Sequence, residues 1–388
     1  MTLVHHDPDL AAPDLGVAAP RLGGIDHLEW WVGNARTFAG FLCSAFGFEA
    51  VAYAGPETGR ADRVSHMLQQ GDVRFLISGA LHPESPIAGH VQRHGDGIRD
   101  VAFLVDDVDA AYAAALARGG TGLRAPADDT DDHGTIRHAA IATYGDTVHT
   151  LLDRRRYDGP FAPQFEASDL LRPVGPDVGL VKLDHVVGNV ELGALERWVH
   201  FYEQVFGFSQ LMHFDDEQIS TEYSALMSTV VWNGNTTDAK PTGERVVMPL
   251  NEPAAGRRKS QIEEYLDFYG APGVQHIALC TDDIVAAVRA LRARGVRFMQ
   301  VPADYYPTAR ERMDGIDELP WAALEELNIL VDRDHDGHLL QIFTETVTDR
   351  PTVFFEIIQR EGAKGFGEGN FKALFEAIER GQARRGNL

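Results

Sequence analysis

The sequence has few cysteines and no long apolar run. Cys43 and Cys280 are the only two cysteines in 388 residues, so a disulfide framework and a thiolate zinc knuckle are excluded. No stretch of about 18 uncharged apolar residues occurs, which argues against a membrane span. The segment from Met1 to Asp9 lacks the basic and apolar regions of a signal peptide, and we therefore expect a cytoplasmic protein.

Basic residues are also scarce. Lys and Arg number 35 against 58 Asp and Glu, which gives a net charge of −23 that repels nucleic acid and anionic membranes. The chain has no Gly-Lys-Ser/Thr phosphate loop, no dinucleotide-binding glycine motif after a first strand, no Gly-x-Ser-x-Gly elbow and no HExxH segment. Neither a nucleotide cofactor nor serine hydrolysis is therefore expected. The length and the 44% hydrophobic content are typical of about two folded domains.

The chain does contain an internal repeat. Three pairs of segments match between its halves: residues 25–34 with 183–189, residues 97–102 with 273–278, and residues 147–152 with 352–357. Asp-Asp pairs at 106–107 and 282–283 follow the second match and predict helix N-caps, and Arg-Gly pairs at 118–119 and 294–295 predict the ends of those helices. Each half therefore holds two short strand–helix–strand units.

Two histidines and a glutamate lie at strand positions of the second half where the repeat can bring them together. His185, His276 and Glu356 would form a two-histidine, one-carboxylate set. Such a set leaves about three positions open on an octahedral ion and suits Fe(II) oxygenases, although zinc hydrolases also use it. The alternative is that both histidines are ordinary core residues.

The first half does not repeat this set. The alignment of the two halves places His27, Asp100 and Leu151 at the equivalent positions, so at least one ligand is lost. The sequence therefore predicts one active half and one degenerate half.

The second half resembles the 4-hydroxyphenylpyruvate dioxygenase family of the vicinal-oxygen-chelate superfamily. The matching segments are residues 183–189, 249–253, 259–262, 273–276, 340–344, 350–358 and 365–371. They lie between Leu183 and Phe375, and the first half resembles the family's N-terminal domain more weakly. The resemblance implies an α+β fold of two tandem domains, each with paired βαβββ modules that form an open, barrel-like sheet.

The resemblance also implies roles for individual residues. It implies that His185, His276 and Glu356 bind Fe(II). The expected polar, catalytic groups around the substrate are Ser228, Asn251, Gln261, Gln275 and Gln341. The expected substrate-binding residues are Val187, Pro249, Phe343, Phe354, Phe366, Asn370 and Phe371. Core packing is the alternative for each aromatic residue. The family usually has lysine where this chain has Glu345, and we expect this side chain to face solvent.

The implied activity is oxidation of an aryl-pyruvate by O₂. The family converts 4-hydroxyphenylpyruvate and O₂ to homogentisate and CO₂ in tyrosine and phenylalanine catabolism, and the α-keto acid of the substrate makes a separate 2-oxoglutarate unnecessary. The alternatives are a 4-hydroxymandelate synthase acting on the same substrate, a catechol ring-cleaving dioxygenase, and a ligand-sequestering protein of the same fold. We expect a homo-oligomer.

Five segments follow from the repeat and the resemblance. They are an N-terminal tail (residues 1–21), a degenerate repeat domain (22–156), a linker (157–178), a catalytic domain (179–364) and a C-terminal glycine hinge with a lid helix (365–388). Phe371, Leu374, Phe375 and Ile378 follow a helical spacing that predicts an amphipathic helix from about Asn370. We expect this helix to end near Ala383 and to cover the site.

Overall fold

The structure, a computed structural model, consists of two mixed sheets, one in each half of the chain. It describes residues 16–214, 225–234, 245–254, 258–302, 304–313, 316 and 319–387. The predicted N-terminal tail therefore lies outside the described residues up to position 15. Among the described residues, no helix is long and apolar enough to cross a membrane.

The first domain contains two βαβββ modules, as predicted. The first module is β1 (Leu22–Val32), α1 (Ala35–Phe41), β2 (Glu49–Ala54), β3 (Arg63–Gln70) and β4 (Val73–Ala80). Helix α2 (Pro86–His94) leads to the second module, which is β5 (Gly97–Val105), α3 (Val108–Ala117), β6 (Gly122–Asp131), β7 (Gly134–Ala142) and β8 (Val148–Tyr157). With the short β9 (Glu166–Ala167), the sheet order is β6-β7-β8-β5-β1-β4-β3-β2-β9.

The second domain repeats this plan with an insertion. Its first module is β10 (Leu180–Asn189), α4 (Leu195–Phe206), β11 (Ser209–Phe214), β12 (Ala225–Trp232) and β13 (Val247–Ala254), followed by α5 (Gln261–Tyr269). The second is β14 (Gly273–Thr281), α6 (Ile284–Ala293), the inserted α7 (Tyr305–Arg312) and α8 (Trp321–Leu327), β15 (Leu330–Arg333), β16 (His338–Phe343) and β17 (Phe354–Glu361). The sheet order is β11-β12-β13-β10-β14-β17-β16-β15. Helix α9 (Phe371–Arg385) closes the described chain, close to its predicted bounds.

The helix boundaries follow the predicted signals. The Asp107 carboxylate accepts the backbone N–H of Ala110 at the start of α3, and Asp283 accepts that of Ala286 at the start of α6. The glycines that follow both helices, Gly119 and Gly295, have φ of 96° and 88°, a conformation that side chains with a Cβ rarely adopt.

The strand register corrects one position of the repeat. Asp100 lies opposite Val148 in the β5–β8 ladder, as His276 lies opposite Phe354 in the β14–β17 ladder. The residue equivalent to Glu356 is therefore Thr150, and the prediction of Leu151 is wrong by one residue. The sequence match missed the shift because it compared similar residues rather than hydrogen-bonded partners.

A continuous apolar core joins the two domains and holds the last strand in place. The Phe355 ring lies 4.8 Å from the ring of Phe46 and 6.0 Å from that of Phe75, both in the first domain. Because neighbouring residues of a strand point to opposite faces, burial of Phe355 between the domains directs Glu356 into the second domain.

Candidate metal centre

His185, His276 and Glu356 converge at one point inside the second domain. The Nε2 atoms of His185 and His276 lie 3.2 Å and 3.6 Å from the same oxygen, Oε2 of Glu356. The three come from adjacent strands of one sheet, β10, β14 and β17, and their side chains are 3%, 13% and 3% exposed. Two imidazole nitrogens and a carboxylate facing one point can hold a transition-metal ion.

A second layer of charged groups orients His185. The Nδ1 atom of this histidine lies 2.7 Å from the Asp184 carboxylate, which leaves Nε2 pointing towards Glu356. Arg360 donates hydrogen bonds from Nε and Nη2 to the two oxygens of Asp184, each over 2.8 Å. Burial raises the pKa of Asp184, but the charges of Arg360 and His185 outweigh it and hold this pKa well below its usual value.

The charges around the site retain a proton on His185. Burial alone lowers the pKa of this histidine, but the carboxylates of Glu356 and Asp184 raise it to about 9. Burial, together with the positive charge of His185, keeps the pKa of His276 well below its usual value. One histidine is therefore neutral and ready to bind a metal ion, whereas the other must first lose a proton.

We predict that metal affinity rises with pH. Below about pH 9 the proton on His185 competes with the ion, so the affinity should increase roughly tenfold per pH unit and level off above that value. Chelator competition at several pH values checks the slope, and calorimetry in buffers of different ionisation enthalpy counts the released proton. An affinity that does not change between about pH 6 and 8 would contradict this assignment.

Arg360 offers a test of the outer layer with a matched control. Arg360→Gln removes the cation that fixes Asp184, and loss of such a partner lowers metal affinity by roughly 10–100-fold. The control is Arg154→Gln, because Arg154 binds the equivalent Asp26 of the first domain through the same two atoms. Metal affinity of the control should remain unchanged. Equal losses in both variants would indicate a general effect on folding.

The equivalent point of the first domain is filled by the protein itself. Thr150 donates both its backbone N–H and its hydroxyl to the buried Asp100 carboxylate. The ring of Phe161, from the predicted linker, lies 5.2 Å from the ring of His27 and contacts the guanidinium groups of Arg154 and Arg74. The carboxylate is thus already bonded and an aromatic ring lies beside the histidine, so His27, Asp100 and Thr150 do not form an open set of ligands at this point.

Aromatic side chains surround the candidate ligands. The Phe354 ring stacks on the His276 ring at 4.9 Å, and the Phe343 ring meets it edge-on at 6.0 Å. On the other side, the Phe366 ring lies 5.2 Å from His185. Phe371 packs against an apolar cluster formed by strands β11 to β13 and helices α5 and α9.

Four of the predicted polar residues are buried and have no side-chain hydrogen bond to another described residue. Within the described part of the chain, no hydrogen bond involves the side chains of Ser228, Asn251, Gln261 or Gln341, although each residue is less than 10% exposed. Ser228 lies directly opposite Asn251 in the β12–β13 ladder. None of their polar atoms is among the fully buried, unpartnered atoms of the described residues, so these atoms keep accessible surface that a ligand could contact. Gln275 differs, because its Oε1 lies 3.3 Å from Nδ1 of His276.

The remaining predicted substrate-binding residues are Val187, Pro249 and Asn370. Val187 is buried opposite His276 in the β10–β14 ladder, and Pro249 is buried on β13. Asn370 is fully buried, and its Oδ1 accepts a hydrogen bond from the Tyr305 hydroxyl over 2.6 Å. The structure thus attaches Asn370 to the inserted helix α7. The side chain of Glu345 is 41% exposed and pairs with Arg297, as expected for a solvent-facing residue.

The comparisons with known proteins agree with this architecture. The profile of the Glyoxalase/Bleomycin resistance protein/Dioxygenase superfamily matches residues 24–150 and 182–342. The chain is 46% identical over 376 residues to the 4-hydroxyphenylpyruvate dioxygenase of Yarrowia lipolytica, with 94% of this chain and 93% of that protein covered. The protein of the same name from Dictyostelium discoideum is 46% identical over 373 residues, with 94% and 100% covered.

The chain belongs to the 4-hydroxyphenylpyruvate dioxygenase family. This membership confirms the predicted fold class and enzyme class, and it implies a metal cofactor. A solved structure of a triple mutant of 4-hydroxymandelate synthase from Streptomyces coelicolor matches with a TM-score of 0.81 and 36% identity, over 94% of this chain and 100% of that chain. The principal alternative therefore shares the same fold.

The charged pair of Asp184 and Arg360 behind His185 was not predicted from the sequence. Its signal was present, because an aspartate precedes the histidine in both halves, at Asp26 and Asp184. The arginines that complete the two pairs, Arg154 and Arg360, lie far along the chain, and no motif connects them with the aspartates.

Proposed function

We propose that this protein is an Fe(II)-dependent dioxygenase that converts 4-hydroxyphenylpyruvate and O₂ to homogentisate and CO₂. The observation that carries the proposal is the convergence of His185, His276 and Glu356 among aromatic rings. The identity of 46% to proteins named 4-hydroxyphenylpyruvate dioxygenase supports the substrate.

The three ligands suit Fe(II), because two histidines and a carboxylate leave adjacent coordination positions open. His185, His276 and Glu356 would hold this ion, which would supply the open positions for chelation by the α-keto acid and the redox chemistry for O₂ activation. Asp184 fixes the orientation of the His185 ring through Nδ1, and Phe354 does the same for His276 by stacking. The chain thereby keeps both Nε2 atoms directed at one point before the substrate arrives.

The buried polar side chains would position the substrate. Leu226 and Ser228 are two residues apart on β12, so their side chains lie on the same face of the strand. Leu226 belongs to the apolar cluster that contacts Phe366. Because Phe366 also contacts His185, we place the substrate between this polar face and the three ligands. Asn251 and Gln261 would hold the phenol end of the substrate, and the aromatic rings would exclude water.

The C-terminal segment serves as the lid in this proposal. Phe375 of α9 is buried against the apolar cluster, and Arg385 pairs with the buried carboxylate of Glu264 on α5 at 2.6 Å. The lid begins beside the ion pair of Asp184 and Arg360, because Arg360 also donates to the carbonyl oxygen of Gly365 over 2.6 Å. The Gly367 backbone approaches Gln341 so closely that a Cβ there would lie 2.3 Å from its amide nitrogen. A larger residue at 367 would therefore displace either the lid or Gln341.

The 4-hydroxymandelate synthase alternative differs in which carbon is oxidised. It is favoured by the solved structure that matches at 36% identity, whereas the dioxygenase relatives match at 46%. The chain also has Pro249 and Asn251, in an arrangement that we associate with hydroxylation of the ring.

Product analysis tests the proposal. The Fe(II)-loaded protein, incubated with 4-hydroxyphenylpyruvate under O₂, should release homogentisate as its main product. Changing Pro249 and Asn251 together should lower that yield and release side-chain-oxidised product, while iron content stays constant. Chromatography showing 4-hydroxymandelate as the dominant product of the unmodified protein would replace the proposed reaction and leave the metal site in place.

A further inference from the structure

A second group of metal-binding side chains lies outside the site described above. His90 and His94 are four residues apart on helix α2, and therefore on the same face of the helix. Asp146, in the turn between β7 and β8, completes the group. One candidate ligand atom from each of the three lies within 4.8 Å of the other two. We call these residues the interdomain cluster, since Tyr269 of the second domain packs on them.

His94 is oriented as a metal-binding histidine would be. Its Nδ1 lies 2.6 Å from the backbone carbonyl oxygen of Tyr269, and its ring stacks on the Tyr269 ring at 4.5 Å. A carbonyl oxygen can only accept, so Nδ1 donates to it. Nε2 lies 2.9 Å from the Asp146 carboxylate, which also only accepts, and a metal ion would take the place of the hydrogen in that contact. His185 is arranged in the same way, with the Asp184 carboxylate at Nδ1 and the Glu356 carboxylate at Nε2.

The ring nitrogens of His90 are unpaired in the part of the chain that the structure describes. It is 5% exposed, and neither Nδ1 nor Nε2 forms a hydrogen bond within the described residues. Its ring is enclosed by Trp31, at 5.5 Å, and His94, at 4.7 Å. Burial, with the positive charges nearby, lowers its pKa to about 3, so the imidazole is neutral at physiological pH. A buried polar group without a partner is costly, and a bound cation would supply the partner.

Two arginines oppose a cation at this point. Arg93 donates to the Asp146 carboxylate over 2.7 Å, and Arg99 lies over the Trp31 ring at 5.0 Å and acts electrostatically on His90. The side chain of Arg93 is 62% exposed and can turn into solvent at little cost. A metal ion would replace Arg93 at the carboxylate, and its affinity would be lower than at a site without competing cations.

We propose that the interdomain cluster binds one divalent transition-metal ion, and Zn²⁺ is the probe because two imidazoles and a carboxylate also form zinc sites. The fourth position would hold water. Because His94 is attached to Tyr269, the ion would stabilise the contact between the two domains. This inference does not depend on the proposed oxygenase function.

Zinc uptake by the iron-loaded full-length protein tests the proposal. After dialysis against Zn²⁺, elemental analysis should give about one zinc per chain with the iron retained, and the melting temperature should rise. His90→Phe keeps a ring against Trp31 but cannot bind a metal, and it should abolish both effects. Asp146→Asn serves as a second variant on the surface and should weaken zinc binding markedly.

Several outcomes decide against the site. The proposal is overturned if the native protein takes up no zinc while keeping its iron, or if His90→Phe and Asp146→Asn bind as much zinc as the native chain. Glu356→Ala distinguishes the two sites, because zinc that disappears with this variant belongs to the primary site. If His90→Phe does not fold, Asp146→Asn alone decides.

Discussion

Replacing His185, His276 or Glu356 by alanine is expected to remove most bound iron and nearly all turnover. Nε2 of both histidines and Oε2 of Glu356 converge on one point, so each variant removes one of three protein ligands. The loss of metal affinity should therefore exceed the roughly 10–100-fold that follows loss of a residue that only orients a ligand. Iron content and O₂ uptake measured on the same preparation check both parts. A variant that keeps normal iron and turnover would remove its residue from the ligand set.

His27→Ala is the matched control for the histidine variants. His27 occupies the same ladder position in the first domain as His185 does in the second, and it also has an aspartate at Nδ1. Its neighbour Asp100 is already bonded to Thr150, so the variant should keep its iron. Loss of iron from this variant would mean that the first domain binds the metal.

Opening the lid is expected to separate O₂ consumption from product formation. Arg385→Gln removes the partly exposed cation that ties α9 to the Glu264 carboxylate, whose side chain is 4% exposed and which keeps a hydrogen bond from the Asn387 amide. The variant should bind iron normally but form less product per O₂ consumed, because water reaches the site. The hinge at 365–369 should also become sensitive to protease.

Arg384→Gln is the matched control for the lid, since Arg384 is its exposed neighbour on the same helix. It should behave as the native protein does. Removal of all residues after Lys364 is the limiting case and should give the lowest ratio of product to O₂ with iron still bound. Normal coupling in the truncated protein would show that α9 only packs and does not protect the reaction.

The sequence by itself determined the domain plan and the candidate ligands. Matching segments require matching modules, and the capping aspartates and terminal glycines act through hydrogen bonds within a few residues. This is why the signals at Asp107, Asp283, Gly119 and Gly295 agree with the structure. The ligand set was also visible, because only one half has histidine at both equivalent positions, His185 and His276.

The tertiary structure alone decided which side chains meet. The match between the two halves aligned Leu151 with Glu356, whereas the strand ladder aligns Thr150 with it. This difference of one residue matters because it turns the side chain to the opposite face of the sheet. Arg360 reaches Asp184 across 176 positions of sequence, and His94 reaches Tyr269 across 175. Contacts of this kind depend on how strands pair and domains pack, which local sequence patterns do not encode.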